Sequence, residues 1–171
     1  MTESPEIPEA KDPFEKRVAI TIAILAAVLS FISNHGDDAK TDAILMNTEA
    51  SNQWAFYQAK SIKEHVDNGN ASLAALLTSE AKRDEIIKHL NEEAKRYSSE
   101  KAEIKLKAES LTAESHAASL VNNRCDRASL ILQLAIILSS VAILSRWKPI
   151  WYFGIFVGVG GAIIGATAFL L

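Results

Sequence analysis

Residues 150–171 read IWYFGIFVGVGGAIIGATAFLL and contain no charged side chain. About 20 apolar residues in helical conformation are enough to cross a hydrocarbon core about 30 Å thick. The segment is therefore long and apolar enough for a transmembrane helix. This prediction decides the fold class, because the rest of the chain can then be divided into apolar segments and a charged segment.

Four of the five glycines of this segment are separated by steps of four, three and four residues, and we call them the glycine ridge: Gly154, Gly158, Gly161 and Gly165. These positions share one face of a helix and leave its backbone bare. Close approach of another helix is the physical use of such a face in lipid. We expect the glycine ridge to form an oligomer interface. Two alternatives stay open, namely packing against the other membrane helices of the same subunit and lining of a pore.

Two further apolar segments lie at residues 16–34 and 128–145. A cleaved signal peptide is the competing interpretation of the first segment, but no small-x-small cleavage site follows it. The second segment contains one amide, Gln133, for which we expect an interhelical hydrogen bond. The sequence thus predicts a multi-pass membrane protein with transmembrane helices at 16–34, 128–145 and 150–171.

The cations near the ends of these segments predict the orientation of the chain. Five lie on the side of the N terminus, namely Lys11, Lys16, Arg17, Arg146 and Lys148. Three lie close to the membrane on the other side, namely Lys40, Arg124 and Arg127. The excess favours a cytoplasmic N terminus. Residues 1–15 are acidic and contain three prolines, so we expect a disordered tail there.

Residues 37–127 are rich in charge, and no proline occurs between Pro13 and Pro149, so helix is the expected conformation. The polar cluster at residues 67–70, DNGN, predicts a turn and hence a helical hairpin. The two arms of this hairpin would differ in length. A bend, or a neighbouring subunit that covers the longer arm, would be needed.

The second arm contains a heptad repeat that continues into the second apolar segment. We call it the heptad seam, and it comprises Ile87, Leu90, Ala94, Tyr97, Lys101, Ile104, Ala108, Leu111, Ser115, Ala118, Asn122, Cys125, Ser129 and Leu132. Its mixed occupancy favours a coiled-coil-like hairpin or bundle over a leucine zipper. Within it, we expect oligomer contacts at Ile87, Leu90, Ile104 and Leu111.

Residues 52–63, NQWAFYQAKSIK, combine aromatic rings with amides in a segment that otherwise has few rings. One interpretation is core filling by aromatic side chains whose polar groups are hydrogen-bonded. The other is a docking patch formed by Trp54, Phe56 and Tyr57.

Chemistry-bearing motifs are missing from the sequence. It has no glycine-rich phosphate loop, no nucleophile elbow and one cysteine, Cys125. None of the four histidines follows a glutamate by three residues, the spacing used in metal sites of helical bundles. The net charge of −3 and the lack of a basic stripe argue against nucleic-acid binding. We therefore expect no enzyme activity, no cofactor and no metal.

The run WAFYQAKSI at residues 54–62, with one predicted membrane helix before it and two after it, resembles an uncharacterised bacterial membrane-protein family, domain of unknown function 4337. The resemblance covers almost the whole chain. It implies a location in the bacterial cytoplasmic (inner) membrane. It transfers no catalytic residue and no ligand.

Taken together, the sequence predicts an all-α protein with three transmembrane helices and a long helical hairpin between the first and the second. The function we expect is that of a non-enzymatic, membrane-anchored scaffold that assembles as a homo-oligomer. Its expected partners are the lipid bilayer, further copies of itself and an unidentified membrane protein. The alternative is a small oligomeric channel or transport accessory subunit, in which Gln133, Ser139 and Ser140 face the pore.

Overall fold

The structure is a computed structural model that describes residues 12–77 and 80–170. Three α-helices make up this part of the chain, namely α1 (Pro13–Leu77), α2 (Glu80–Ser145) and α3 (Lys148–Ala168), and no strand occurs in it. The prediction of an all-α protein is thereby confirmed. Each helix also contains a stretch long and apolar enough to cross a membrane, as expected from the three apolar segments of the sequence.

The start of α1 has the chemistry of a helix N terminus. The carboxylate of Asp12 accepts a hydrogen bond of 2.9 Å from the backbone N–H of Phe14, and Pro13 occupies the first turn. The tail predicted at residues 1–15 therefore ends earlier than expected, since residues 13–15 are helical. Residues 1–11 lie outside the described part.

The turn predicted at residues 67–70 is wrong, because α1 continues through these residues to Leu77. A glycine in a helix costs about 1 kcal/mol relative to alanine, and this local cost is small compared with the packing of a long helix. Ala71, directly after the predicted turn, is only 8% exposed. α1 and α2 contain 65 and 66 residues, so the unequal arms expected from the sequence do not occur.

α1 also continues without a break through Gly36, which lies just beyond the membrane helix predicted at residues 16–34. A Cβ atom at Gly36 would lie 2.7 Å from the Cβ of Cys125 on α2. The glycine therefore serves a close approach of two helices and not a helix end.

The described residues form two compact units. The apolar unit consists of residues 12–41 and 117–170, and the charged unit consists of residues 42–116. α1 and α2 contribute to both units, whereas α3 belongs to the apolar unit alone.

The interiors of the two units differ in the size of their side chains. Large side chains such as Leu25, Ile32 and Leu132 are buried in the apolar unit. The residues buried in the charged unit are small, namely Ala43, Ala50, Ala71, Ala94, Ala108 and Ser115. Helices with small side chains between them can approach closely, but they bury little apolar area.

Candidate functional site

The glycine ridge lies in the interior of the apolar unit, where all four glycines are buried. On one side it faces α2. A Cβ at Gly161 would lie 3.1 Å from Ile131 Cγ2 and 3.3 Å from the carbonyl oxygen of Ala128. A Cβ at Gly154 would lie 3.0 Å from Ser139 Oγ. The helix pair is antiparallel and joined by a short turn in which Arg146 adopts a left-handed φ of 50°.

On its other side the glycine ridge faces α1. A Cβ at Gly158 would lie 2.6 Å from Leu25 Cδ2, and a Cβ at Gly165 would overlap the side chain of Ile32. The ridge is thus covered by the same chain, which was the alternative considered for it. The short α2–α3 turn holds α2 beside the ridge, and contact of these glycines with a second subunit stays a prediction.

The residues of the heptad seam point into the interior of their own units. Ala94 and Ala108 are 5% and 0% exposed, and Ile87, Leu90, Ile104 and Leu111 are half-buried. The Ser115 hydroxyl donates a hydrogen bond of 2.8 Å to the carbonyl oxygen of Ala43 on α1. The predicted periodicity therefore coincides with the buried side of α2. Its partner within the charged unit is α1 of the same chain, and the oligomer contacts expected at the four half-buried residues stay a prediction.

Ion pairs between α1 and α2 flank the heptad seam in the charged unit. Lys60 pairs with Glu100, and Lys101 pairs with Glu64. The hydrogen bond from Lys60 lowers the pKa of Glu100, and the hydrogen bond to Glu64 raises the pKa of Lys101. These contacts explain how a lysine is accommodated in the seam.

The aromatic run predicted as a docking patch does not form one surface. Trp54 and Tyr57 pack edge to face, with their ring centroids 5.6 Å apart, and both are half-buried. Lys101 Nζ lies 5.7 Å from the Tyr57 ring centroid. Phe56 is 59% exposed and has its ring on a different side of α1. The pair thus fits the core-filling interpretation, and Phe56 is the exposed member of the run.

Aromatic rings cluster at two levels of the apolar unit. At one level Phe14 and Trp151 pack edge to face at 5.7 Å, and the Trp151 indole donates a hydrogen bond of 3.3 Å to Thr21 Oγ1. At the other level Phe169 stacks on Phe31 at 5.6 Å and on His35 at 4.1 Å. Each cluster joins α1 to one end of α3.

The three polar residues considered for a pore differ in their surroundings. Ser139 is 0% exposed and donates a hydrogen bond of 2.8 Å to the carbonyl oxygen of Ala135. Gln133 and Ser140 are exposed. Only two of the three are therefore placed where they can meet another molecule.

The charged unit has shallow grooves on its surface but no convergent set of reactive groups in them. One groove has a volume of about 440 Å³ and is lined by Asp84, Ile87, Lys88, Asn91, Glu92 and Lys95. Within residues 12–77 and 80–170, no three histidine, cysteine, aspartate or glutamate side chains are arranged to hold a metal ion.

Large apolar side chains on the outside of the charged unit were missed by the sequence reasoning. On α1 the exposed fractions are 58% for Ile44, 64% for Ile62, 55% for Leu73 and 81% for Leu76. The signal that would have found them is the absence of charge at successive helical positions, rather than the presence of a motif.

A family model described as a domain of unknown function, DUF4337, matches residues 14–171. Comparison with curated proteins and with solved structures gave no match.

Proposed function

Since the chain belongs to the DUF4337 family, which transfers no activity, we propose from its own geometry that it is a non-enzymatic, membrane-anchored helical scaffold that self-assembles. The apolar unit is the anchor in this proposal, and the charged unit is the part that binds other molecules in water. Its action is binding and not turnover.

The observation that carries the proposal is the arrangement of side chains in the charged unit. The fully buried side chains of its described residues are alanines and a serine, larger ones such as Leu90 and Ile104 are half-buried, and Ile44, Ile62 and Leu76 are exposed. Exposed apolar surface on a soluble domain is typical of interaction sites when it is contiguous. Burial of these exposed apolar side chains by another molecule would stabilise the complex.

The anchor is supported by the packing of the glycine ridge. Three helices that are each apolar enough to cross a membrane meet at small residues, and close backbone contact is how helices associate in lipid. Because the ridge is occupied within the chain, self-assembly in this proposal depends on the charged unit. Inside one chain, the heptad seam packs α2 against α1, which suits a coiled-coil-like hairpin.

The proposed location is the cytoplasmic membrane of a bacterium, with the N terminus in the cytoplasm. In support, Arg146 lies 3.6 Å from Glu15, so the start of α1 and the α2–α3 turn share one level of the apolar unit. Four membrane-flanking cations belong to this level, namely Lys16, Arg17, Arg146 and Lys148, and such cations favour the cytoplasmic side.

A native mass measurement tests the scaffold. We expect the full chain, purified in mild detergent or in lipid nanodiscs, to have a protein mass of two or more times the 18.6 kDa of one chain. A single-chain mass in both detergent and nanodiscs, at protein-to-lipid ratios comparable to those of a membrane, would refute self-assembly.

The channel remains the second candidate, because the polar amide of Gln133 is exposed in an apolar stretch of α2. A subunit interface or a pore would each satisfy such a group. Ion flux into liposomes containing the wild type, lost on Gln133→Leu, would favour the channel. Equal flux in empty liposomes would exclude it.

A further inference from the structure

An exposed stripe runs along α1 in the charged unit from Ile44 to Leu76, and we call it the outer face of α1. From residue 44 to 62, and again from 62 to 76, its positions follow alternating steps of four and three residues, and all of them are exposed. The large members include Ile44, Ile62, Val66, Leu73 and Leu76. None of its positions carries an aspartate, glutamate, lysine or arginine.

The charges of the charged unit are placed elsewhere. The outward positions of α2 carry exposed Lys88, Glu92, Lys95, Arg96, Glu103 and Glu109. The large apolar side chains exposed on α2 in the described part of the charged unit are Ile86 and Leu106, which lie twenty positions apart. Single exposed apolar residues are ordinary, whereas a continuous uncharged stripe is not. The difference between the two helices therefore points to a covered face on α1.

The outer face of α1 is long enough for a specific interface. From Ile44 to Leu76 it extends about 50 Å at 1.5 Å per residue. Two helices in contact over such a length can bury on the order of 800 Å² per partner, the area of a standard specific interface. Small side chains occupy three successive positions of the face, Thr48, Ser51 and Ala55, and most of its large ones follow from Ile62 onward. The spacing near 3.5 residues suits packing of two helices along this face.

The charge pattern identifies the partner as a second copy of this chain. Copies anchored in one membrane share one orientation, so a two-fold axis brings the same face of each copy together in parallel. Each residue then lies near its own counterpart, and any charged residue would meet a like charge. The outer face of α1 satisfies this condition over its whole length. The uncharged exposed positions of α2 in the charged unit form a shorter run that contains one large apolar side chain, namely Ser98, Ala102, Leu106, Ser110 and Ala113.

We propose that the outer face of α1 is the surface through which two copies of the protein pair in parallel, with Ile62, Val66 and Leu73 near the contact axis. This inference rests on the proposed scaffold function and names its binding surface. A membrane surface is a poorer occupant, because anionic lipids attract amphipathic helices through cations beside the apolar face, and here both signs occur there, as in Glu49 and Lys63.

Cross-linking in the intact protein tests the face directly. In a Cys125→Ala background, Ala55→Cys places one thiol on the outer face of α1, and Ser99→Cys places one on the exposed side of α2. We expect mild oxidation in membranes to link two Ala55→Cys chains, because parallel pairing brings the two Cβ atoms within disulfide range. Ser99→Cys is the matched control and should stay single-chain.

Native mass measurement of a second pair of variants keeps the test independent of cysteines. Ile62→Glu puts two carboxylates face to face in the paired state, and we expect the dissociation constant of the pair to rise by roughly tenfold or more. Leu106→Glu makes the same kind of exchange on α2, and the pair should persist. Helix content from circular dichroism, unchanged in both variants, shows that each is folded.

The results separate this inference from the scaffold itself. Cross-linking at Ala55→Cys together with weakened pairing of Ile62→Glu supports the proposed face. A wild type that assembles while Ala55→Cys does not cross-link and Ile62→Glu assembles normally overturns the face and leaves the scaffold standing. A single-chain wild type overturns both. A fluorophore on Ala55→Cys that is quenched by a lipid-borne quencher, without cross-linking, overturns the face in favour of the bilayer surface.

Discussion

Gly160 and Gly161 are neighbours in α3, yet a side chain at each would meet different surroundings. A Cβ at Gly161 would come within 3.1 to 3.3 Å of Ile131, Leu132 and Ala128, whereas a Cβ at Gly160 would have no neighbour within 4 Å. Only the second glycine of the pair is therefore required by packing. The stepping of the glycine ridge predicted this distinction, since Gly160 is not one of its members.

We expect Gly161→Leu to lower the free energy of unfolding of the apolar unit by about 1–3 kcal/mol, the usual cost of overpacking a tight contact. Gly160→Leu should change it much less. Thermal unfolding of both full-length variants in the same detergent, followed by circular dichroism, measures the difference. Equal losses of stability in the two variants would contradict the close contact of the glycine ridge with α2.

The partner of the glycine ridge could not be predicted from the same residues. Bare backbone indicates close helix approach, but the sequence does not say whether the approaching helix belongs to the same chain. The structure has Leu25 and Ile32 of α1 against Gly158 and Gly165. These are apolar side chains like many others in their segment, and no local pattern marks them as the partners.

At the level of whole helices, α1 and α2 can approach each other closely in the charged unit because most of the fully buried residues between them are alanines. Ala108 is 0% exposed, while Ala102, on the same helix, faces outward. We expect Ala108→Leu to lower the free energy of unfolding by about 1–3 kcal/mol because the two helices must separate to admit the side chain. Ala102→Leu should be nearly neutral. Comparable melting temperatures for the two variants would contradict the alanine seam.

The ion pairs across the same seam give stability a dependence on pH. The pKa of Glu100 is lowered by its hydrogen bond from Lys60, so the stabilisation is complete above the unfolded pKa and is lost as pH falls through the lower folded pKa. The pKa of Lys101 is raised by Glu64, so that stabilisation is complete below the unfolded pKa and is lost as pH rises through the higher folded pKa.

Melting temperatures measured across acid and alkaline pH check both signs. We expect Glu100→Gln to reduce the loss of stability at acid pH, and Lys101→Met to reduce the loss at alkaline pH. The effects should be small because these side chains are partly exposed. Lys60→Met should reproduce the acid effect, and adding Glu100→Gln to it should change little, since both remove one interaction. Additive effects would mean that the two residues do not interact.

The heptad seam and the end of α1 show how far a sequence determines a helix pair. The repeat from Ile87 to Leu132 coincides with the buried side of α2, because burial against one straight partner imposes a spacing near 3.5 residues. The turn at residues 67–70 was predicted wrongly because Asn and Gly disfavour helix only by local amounts. Packing of the flanking residues, such as Ala71, decides where a long helix ends.

On the scale of the whole molecule, the all-α class and three helices apolar enough for a membrane were predicted from the absence of proline and charge in long segments. The outer face of α1 was not, although its residues were equally visible. Its absence of charge can be read from the sequence, but its exposure follows only from knowledge of which side of α1 is already covered by α2. That knowledge comes from the antiparallel pairing, which joins residues far apart in sequence, such as Ala43 and Ser115.

The orientation in the membrane is testable on single-cysteine variants of intact cells and spheroplasts. With the N terminus in the cytoplasm, we expect a membrane-impermeant maleimide to label Ser99→Cys from outside and to leave Lys148→Cys unlabelled until the membrane is opened. Both variants carry Cys125→Ala. The reverse pattern would place the charged unit in the cytoplasm, against the count of flanking cations.

The two aromatic clusters of the apolar unit also have a consequence for the lipid around it. Trp151 belongs to one cluster and Phe169 to the other, and the backbone between them rises about 27 Å at 1.5 Å per residue. Tryptophan favours the boundary between hydrocarbon and headgroups, and the polar ring of His35, which stacks on Phe169, also belongs near water. In the proposed membrane anchor, this spacing matches a hydrocarbon layer of about that thickness, and a much thicker bilayer would have to thin around the anchor or exclude it.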